Sequence, residues 1–238
     1  MAKTDTDQVM ALDKHKYRLH DGRVAVNVTA ISSLLDDGKS GAFAGAAVNL
    51  WMKGLNHREE WKYKAERGTR IHTHLERRLR GDEDGEILDD EQGYVDALQK
   101  FLDEQDPQVL MQEAIALSNH GYGGRFDLIC TIDGVVWLLD LKTGKEYVVE
   151  HTLQLSAYRY ADGIAHYDAD GKLMPEFKPI PAIDKAGCLY VNEDGTYKIV
   201  EYPADEEAFA QFLHLLEVHQ WSRTPTMKQL IRESKAKT

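Results

Sequence analysis

The sequence predicts an α/β fold in which a mixed β-sheet core is flanked by helices and preceded by a largely helical N-terminal part. Asp133-Gly134 separates two apolar runs, which is the strongest short-range signal for a β-hairpin. Residues 109–118 alternate like a third strand, and residues 58–80 repeat apolar side chains at the period of a long helix. We therefore expect a three-stranded meander, with strands at 125–132 and 135–143, covered by helices.

Further elements are expected on both sides of this meander. Those before it are a hairpin at 17–26 turning at Asp21-Gly22, a helix capped by Asn27 or Thr29, a break at 38–45, and helices at 46–55 and 91–104. Those after it are a helix at about 150–168, a loop at 169–184, strands at 187–192 and 197–202, and a helix at 205–221.

We interpret residues 1–238 as a single domain. Its expected parts are a disordered start at 1–15, a helical part at 17–106, a sheet core with a helix at 107–202, and a helix with a basic tail at 203–238. A hydrophobic content of 42% is enough for a substantial core.

The composition excludes several kinds of site. The net charge of −11 is not that of a chain that binds a polyanion by bulk electrostatics, so DNA would need a local basic groove or bound metal. The two cysteines, Cys130 and Cys188, cannot build a Cys₄ zinc site or an iron–sulfur cluster. No apolar run spans a membrane and no secretory segment begins the sequence, so we expect no membrane partner and a cytoplasmic location.

The predicted hairpin brings charged residues together. If Asp133-Gly134 forms the turn, Asp127 faces Asp140 and Arg125 faces Lys142, all on one side of the sheet. Opposed carboxylates are costly, and a divalent metal is the simplest group that would offset the cost. Two acids and a lysine at one place indicate metal-assisted phosphoryl chemistry.

The alternative interpretation is an edge hairpin whose polar side is simply solvated. Against it, the apolar residues Ile129, Val136 and Leu138 share the side that carries the charges. That side is therefore expected to be at least half buried, which favours a functional site.

The helix predicted at 58–80 carries a histidine beside its apolar stripe. Ile71, Leu75 and Leu79 form the centre of the stripe, and His72 and Glu76 lie along one edge of it. The pattern predicts solvent-exposed positions for Arg70, Arg77 and His74, and a solvated acidic loop at 81–90. A lone histidine at a helix edge is often only a satisfied polar side chain, which is the alternative for His72.

Four motifs follow one another in a fixed order: Gly68-Thr-Arg-Ile-His72 on a helix, Gly124-Arg-Phe-Asp127, Asp140-Leu-Lys142, and Gln154-Leu-Ser-Ala-Tyr158 on the helix after the sheet. In this order they resemble the PD-(D/E)XK nuclease superfamily, and within it the RecB-type branch. That branch includes the CRISPR adaptation nucleases, a mitochondrial genome-maintenance exonuclease and many phage exonucleases. The resemblance covers residues 17–165 and implies a restriction-endonuclease-like core without an iron–sulfur cluster.

The resemblance implies a role for each matched residue. Asp127 and Asp140 would bind Mg²⁺ or Mn²⁺, with the Leu141 carbonyl and His72 as further ligands, and Lys142 would orient water and stabilise charge on the phosphoryl oxygens. Candidates for substrate contact are Gln154, Tyr158 and Arg80. Glu76 and Glu113 are candidates for an outer ligand or a supporting partner, and Tyr158 is equally well explained as a core residue.

The function expected from these motifs is a metal-dependent DNA exonuclease of phage recombination or replication. Its partners would be single-stranded DNA or duplex ends, and a phage recombinase or single-strand-binding protein, in the cytoplasm of a bacterial or phage-infected cell. The alternatives are a catalytically silent nuclease-fold module that binds DNA or a recombinase, and a structure-specific endonuclease. An intact set of Asp127, Asp140 and Lys142 argues against the silent module.

Overall fold

The structure, a computed structural model, describes residues 17, 19, 23–35, 48–144, 148–166 and 177–235. Its strands are β1 (Val26–Asn27), β2 (Gln108–Ser118), β3 (Tyr122–Ile132), β4 (Val135–Lys142), β5 (Gly163–Ala165), β6 (Lys185–Val191) and β7 (Tyr197–Glu201). Its longer helices are α1 (Val28–Ser32), α2 (His57–Arg80), α3 (Gln92–Gln105), α4 (Val148–Arg159), α5 (Glu206–Ser222) and α6 (Pro225–Lys235).

The expected mixed sheet flanked by helices is confirmed. The strands lie in the order β5-β2-β3-β4-β6-β7, and β1 pairs with β3 beside this path. Neighbouring strands are antiparallel except for β1 with β3 and β4 with β6. The meander of β2, β3 and β4 is therefore the centre of the sheet, as the sequence predicts.

The hairpin between β3 and β4 has the predicted turn and register. Asp133 and Gly134 have φ angles of 50° and 78°, as a type I′ turn requires at both central positions. Pairing then runs from Ile132 with Val135 to Leu128 with Leu139. The next two opposed positions are those of the two aspartates discussed below.

Two hydrophobic cores cover the two faces of the sheet. On one face, Ile71 and Leu75 of α2 and several α3 side chains pack on Leu128, Leu139 and other strand residues. On the opposite face, α1, α4 and α5 pack on side chains that include Phe126, Ile129 and Leu138. Ile129 and Leu138 are fully buried there, so the solvated-edge interpretation of the hairpin is wrong.

The N-terminal part agrees with its predicted pattern where it is described. The Asn27 side chain caps α1 by accepting a hydrogen bond from the Thr29 amide at 2.9 Å. Tyr17 pairs through its carbonyl with the Ala25 amide, as in the predicted hairpin. Residues 48–52 are helical, and α2 begins at His57 with its side-chain cap from Asn56.

Several sequence expectations lie outside the described residues. They are the disordered start at 1–15, the turn at 21–22, the break at 38–45 and most of the loop at 169–184. The division of the chain into one domain stays a prediction. Among the helices that are described, none combines the length and the apolar character that crossing a membrane requires.

The C-terminal third differs from its predicted pattern in two ways. The helix expected to reach residue 168 ends at Arg159, and the short strand β5 follows it and pairs with the edge of β2. The segment predicted as a basic tail contains the helix α6. Three-residue strands carry too little alternation to be recognised, and the basic side chains of α6 obscured its helical pattern.

The contacts between α2 and the segment after it correct three expectations. His74, expected on the surface, is buried and lies 3.1 Å from an Asp84 carboxylate oxygen. Arg70, expected to face solvent, forms an ion pair with Glu91, which is 0% exposed. The acidic loop is therefore tied to α2 rather than simply solvated, because buried charges need partners.

Asp162 is expected to fasten the β2–β3 turn to the segment that leads into β5. It accepts hydrogen bonds from Ser118 Oγ at 2.6 Å and from the Asn119 amide at 2.9 Å. Burial alone would raise its pKa, but these hydrogen bonds outweigh burial and lower the pKa. Because Asp162 is exposed and solvent screens its contacts, Asp162→Ala should cost only about 1 kcal/mol of unfolding free energy near neutral pH.

The sign of this effect with pH follows from the lowered pKa of Asp162. A carboxyl with a lowered pKa stabilises the fold above its unfolded value of about 3.9, and loses that contribution as the pH falls. Urea unfolding of both proteins should therefore converge in acid. An equal difference in stability at neutral and acidic pH would contradict the role of the carboxylate.

Candidate metal and phosphodiester site

The histidine of the first motif is held at the sheet by its helix. Ile71 and Leu75 anchor α2 in the core, and His72 lies at the edge of that contact, as its place beside the apolar stripe predicts. His72 Nδ1 is 3.2 Å from Asp127 Oδ1. The sequence thus predicted both the helix α2 and the position of His72 at the edge of its contact with the sheet.

Asp127 lies where β3 and β4 begin to separate. Its Oδ1 faces His72, and its Oδ2 accepts a hydrogen bond from the Leu141 amide at 2.6 Å. Asp140 is the next residue of β4 beyond the last β3–β4 pair, and from there β4 keeps only its pairing with β6. The carboxylate of Asp127 therefore spans the opening between the two strands.

Glu113 and Asp127 are the two acids that face each other most directly. The β2–β3 pairing continues from Gln112 with Leu128 to Ala114 with Phe126, so Glu113 stands opposite Asp127. Glu113 has a φ of 49°, in the left-handed region that a glutamate rarely adopts. Strain of this kind and opposed like charges both cost stability, and they coincide here.

The side-chain alternation of both strands is interrupted at this level. Met111 and Ala114 of β2 both pack toward the core of α4 and α5, although they are three residues apart. Phe126 and Ile129 of β3 do the same. A regular strand would place residues three apart on opposite faces, so the sheet is distorted around Glu113 and Asp127.

The three donors at this distortion are close enough to share one cation. His72, Glu113 and Asp127 each offer a ligand atom, and these atoms all lie within 4.8 Å of one another. Carboxylate oxygens with one imidazole nitrogen suit a divalent ion such as Mn²⁺. Since opposed acids on a strained backbone are costly without a cation, the donor set fits the predicted metal.

Asp140 and Lys142 form the second half of the site. Asp140 is 3% exposed and forms an ion pair with the Lys142 ammonium. Gln154 of α4 contacts both, donating to Asp140 Oδ1 at 3.2 Å and accepting from Lys142 Nζ at 3.3 Å. The amide of Gln154 also lies 3.3 Å from the Tyr158 hydroxyl. The third and fourth motifs are therefore in direct contact.

The second motif needs glycine at position 124 because Tyr158 of the fourth motif packs directly against it. A Cβ atom on Gly124 would lie 2.9 Å from Tyr158 Cε1 and 3.1 Å from Val28 Cβ, which is closer than side chains pack. Gly124 thus lets the Tyr158 ring lie against β3. Because Tyr158 is buried, its core role is observed, and substrate contact by its hydroxyl stays a prediction.

The charges of the site control one another's protonation. Burial lowers the pKa of His72, but the Asp127 carboxylate outweighs burial and raises that pKa to about 9. Burial would raise the pKa of Asp127, but the His72 imidazolium, Lys142 and the Leu141 amide hold it below its usual value. Burial, and then the Asp127 charge, raise the pKa of Glu113 to about 7.

Lys142 remains charged although it is enclosed. Burial would lower the pKa of its ammonium, but the carboxylates of Asp140 and Asp127 outweigh burial and raise that pKa. A fixed ammonium beside two acids is suited to hold a phosphoryl oxygen in place.

The remaining predicted residues lie at different distances from this centre. Arg125 is not paired with Lys142 as predicted, because the β3–β4 pairing has already ended at this level. Its guanidinium reaches Glu113 of β2 at 3.3 Å. Arg80 forms an ion pair with Glu76 at 2.5 Å along α2. Glu76 lies near enough to Glu113 for its charge to help raise the pKa of that carboxyl, after burial and the Asp127 charge, and its role as a supporting partner stays a prediction. Arg80 as a substrate contact and the Leu141 carbonyl as a ligand stay predictions.

No protein-family model matches the chain, and no curated protein sequence matches it. The crystal structure of SSO0001 is similar at 14% identity and a TM-score of 0.43, covering 93% of this chain and 84% of that one. An alkaline exonuclease, LHK-Exo, from Laribacter hongkongensis is similar at 10% identity and a TM-score of 0.43, covering 90% and 95%.

Proposed function

We propose that the chain is a divalent-metal-dependent deoxyribonuclease that hydrolyses phosphodiester bonds, and that it acts on DNA ends. The observation that carries the proposal is the position of Asp127, whose two carboxylate oxygens face His72 on one side and the Leu141 amide on the other. Asp140 and Lys142 stand next to that amide on the same strand. Acids, an imidazole and a fixed ammonium thus converge at the opening between β3 and β4.

Each residue would have a separate task in the reaction. His72, Glu113 and Asp127 would hold Mg²⁺ or Mn²⁺, with Asp140 and the Leu141 carbonyl as further oxygen ligands. The cation would supply a water molecule that ionises near neutral pH. Lys142 would orient that water and neutralise charge on the phosphoryl oxygens, and Gln154 would fix the ammonium through its hydrogen bond.

The choice of DNA and of its ends rests on the order of the four motifs, which resembles the RecB-type nucleases. A role in phage recombination or replication, with a recombinase or single-strand-binding protein as partner, follows from the same resemblance. The net charge of −11 adds a physical requirement. Because the chain as a whole repels DNA, the bound cation and local basic side chains must supply the attraction.

The purified protein is expected to degrade end-labelled linear DNA with Mg²⁺ or Mn²⁺ and to lose this activity in EDTA. Linear and covalently closed circular DNA, in single- and double-stranded form, should be compared by gel electrophoresis. Resistance of the circles would establish action at ends. Cleavage of circles would instead indicate an endonuclease, and binding without cleavage under every metal would indicate a catalytically silent module and contradict the proposed activity.

A further inference from the structure

The residues that precede the site in the chain form a mostly exposed helical arm, defined here as residues 48–66. The structure describes all of them, and none is buried. The arm contains the helical segment at 48–52 and the first part of α2. Most of its residues are exposed, and the half-buried ones are Leu50, His57, Glu60 and Trp61. The Tyr63 hydroxyl donates to Asp90 at 2.8 Å, which ties the arm to the acidic loop after α2.

The arm exposes large apolar side chains that solvent would not normally favour. Trp51 is 77% exposed and Met52 is 74% exposed. Trp61 lies farther along the same arm, with the His57 ring edge-on to it at 5.0 Å. Exposed apolar groups of this size usually mark a surface that contacts another molecule.

Basic side chains are interspersed with these aromatic ones. The arm has four basic and three acidic residues, in a chain that has 29 basic and 40 acidic ones. Lys53 directly follows Met52, and Arg58, Lys62 and Lys64 are exposed along the start of α2. The arm is therefore an aromatic segment with a small excess of basic side chains, on a protein that is strongly negative as a whole.

The arm ends at Glu66, two residues before α2 reaches the edge of the candidate site at Gly68. A Cβ atom on Gly68 would lie 3.4 Å from Thr143 Oγ1, so α2 contacts the end of β4 immediately after Lys142. His72 follows Gly68 by about one helical turn. A molecule bound along the arm would therefore lie close to the part of α2 that carries the metal donor His72.

We propose that this arm binds the single-stranded part of a DNA substrate, with a base stacked on Trp51 and phosphates contacted by Lys53 and Arg58. Aromatic faces and interspersed basic groups together suit unpaired bases on a phosphate backbone, since a duplex hides the faces of its bases. This inference rests on the proposed function, because it concerns the substrate of the same site.

The arm is tested by Trp51→Ala, with Trp221→Ala as the matched control. Trp221 is also strongly exposed, at 60%, but belongs to α5 on the other face of the sheet. Binding of fluorescein-labelled oligodeoxythymidine of about 30 nucleotides should be measured by anisotropy in EDTA. Trp51→Ala should raise Kd by about 10-fold, the size expected for one lost stacking contact, and the control should not.

A second assay separates the arm from the chemistry. With Mn²⁺, Trp51→Ala should raise KM for the oligonucleotide and leave hydrolysis of bis(p-nitrophenyl) phosphate unchanged, because that ester is too small to reach the arm. Wild-type protein that hydrolyses neither substrate would overturn the proposed function, while the anisotropy result would still decide DNA binding by the arm.

An unchanged Kd for the oligonucleotide in Trp51→Ala would overturn the inference itself. If sedimentation velocity also shows a wild-type dimer that Trp51→Ala converts to monomer, the arm binds a second copy of the chain instead of DNA.

Discussion

Replacement of Lys142 by alanine is expected to reduce DNA cleavage by about 10³-fold. Its ammonium is the positive side chain that contacts Asp140 and Gln154, and it has the position required to neutralise charge on the phosphoryl oxygens. The loss should therefore fall on kcat, measured with saturating linear DNA and Mn²⁺. A Lys142→Ala protein with wild-type kcat would show that the site has been wrongly identified.

The matched control for this variant is Lys185→Ala. Lys185 lies on the neighbouring strand β6 and is bound to the exposed Glu201 at 2.8 Å. An exposed ion pair contributes little, so both activity and stability should be nearly unchanged. Because Lys142→Ala leaves the Asp140 carboxyl enclosed without its cation, Lys142→Arg is the second variant. It keeps the charge and should fold, but its larger guanidinium should still reduce kcat strongly.

Asp127→Asn is expected to abolish cleavage and to remove most of the metal-induced stabilisation. The carboxylate is shared between the His72 side and the Leu141 side of the opening, so its loss should weaken Mn²⁺ binding by more than about 100-fold. At 100 times the wild-type Kd, Mn²⁺ should stabilise wild type by about 2.7 kcal/mol and the variant by only about 0.4 kcal/mol. In a melting experiment these values correspond to shifts of roughly 5–10 °C and 1 °C.

This measurement does not depend on any substrate. Asp96→Asn, on the exposed surface of α3, removes the same charge far from the donors and should keep the full Mn²⁺ shift. An equal Mn²⁺ shift in Asp127→Asn and wild type would place the cation elsewhere. If Mn²⁺ shifts neither protein, the metal proposal is wrong regardless of the variant.

The sequence could predict the β3–β4 half of the site because one short turn determines its register. Asp133-Gly134 fits a type I′ turn, and a two-residue loop leaves one pairing between the strands that it joins. That Asp127 in the middle of β3 lies near Asp140 toward the end of β4 follows by counting from this turn. His72 followed from helical periodicity, which is also local in sequence.

The β2–β3 half could not be predicted in the same way. The link between these strands has no comparable two-residue signature, and the register shifts between Val109 and Met111. Nothing in the sequence therefore showed that Glu113 stands opposite Asp127. The left-handed φ of Glu113 was equally hidden, since propensity argues against it and only tertiary packing imposes it.

The distortion around Glu113 and Asp127 also affects how the protein can be divided. A regular sheet isolates the helices on its two faces, but here His72 from one face and Gln154 from the other serve the same opening. Loosening of either hydrophobic core would therefore displace side chains of this one site. A displacement near 1 Å is enough to slow an enzyme about 100-fold. The candidate site thus belongs to both layers at once, and no fragment lacking α2 or α4 would contain a complete one.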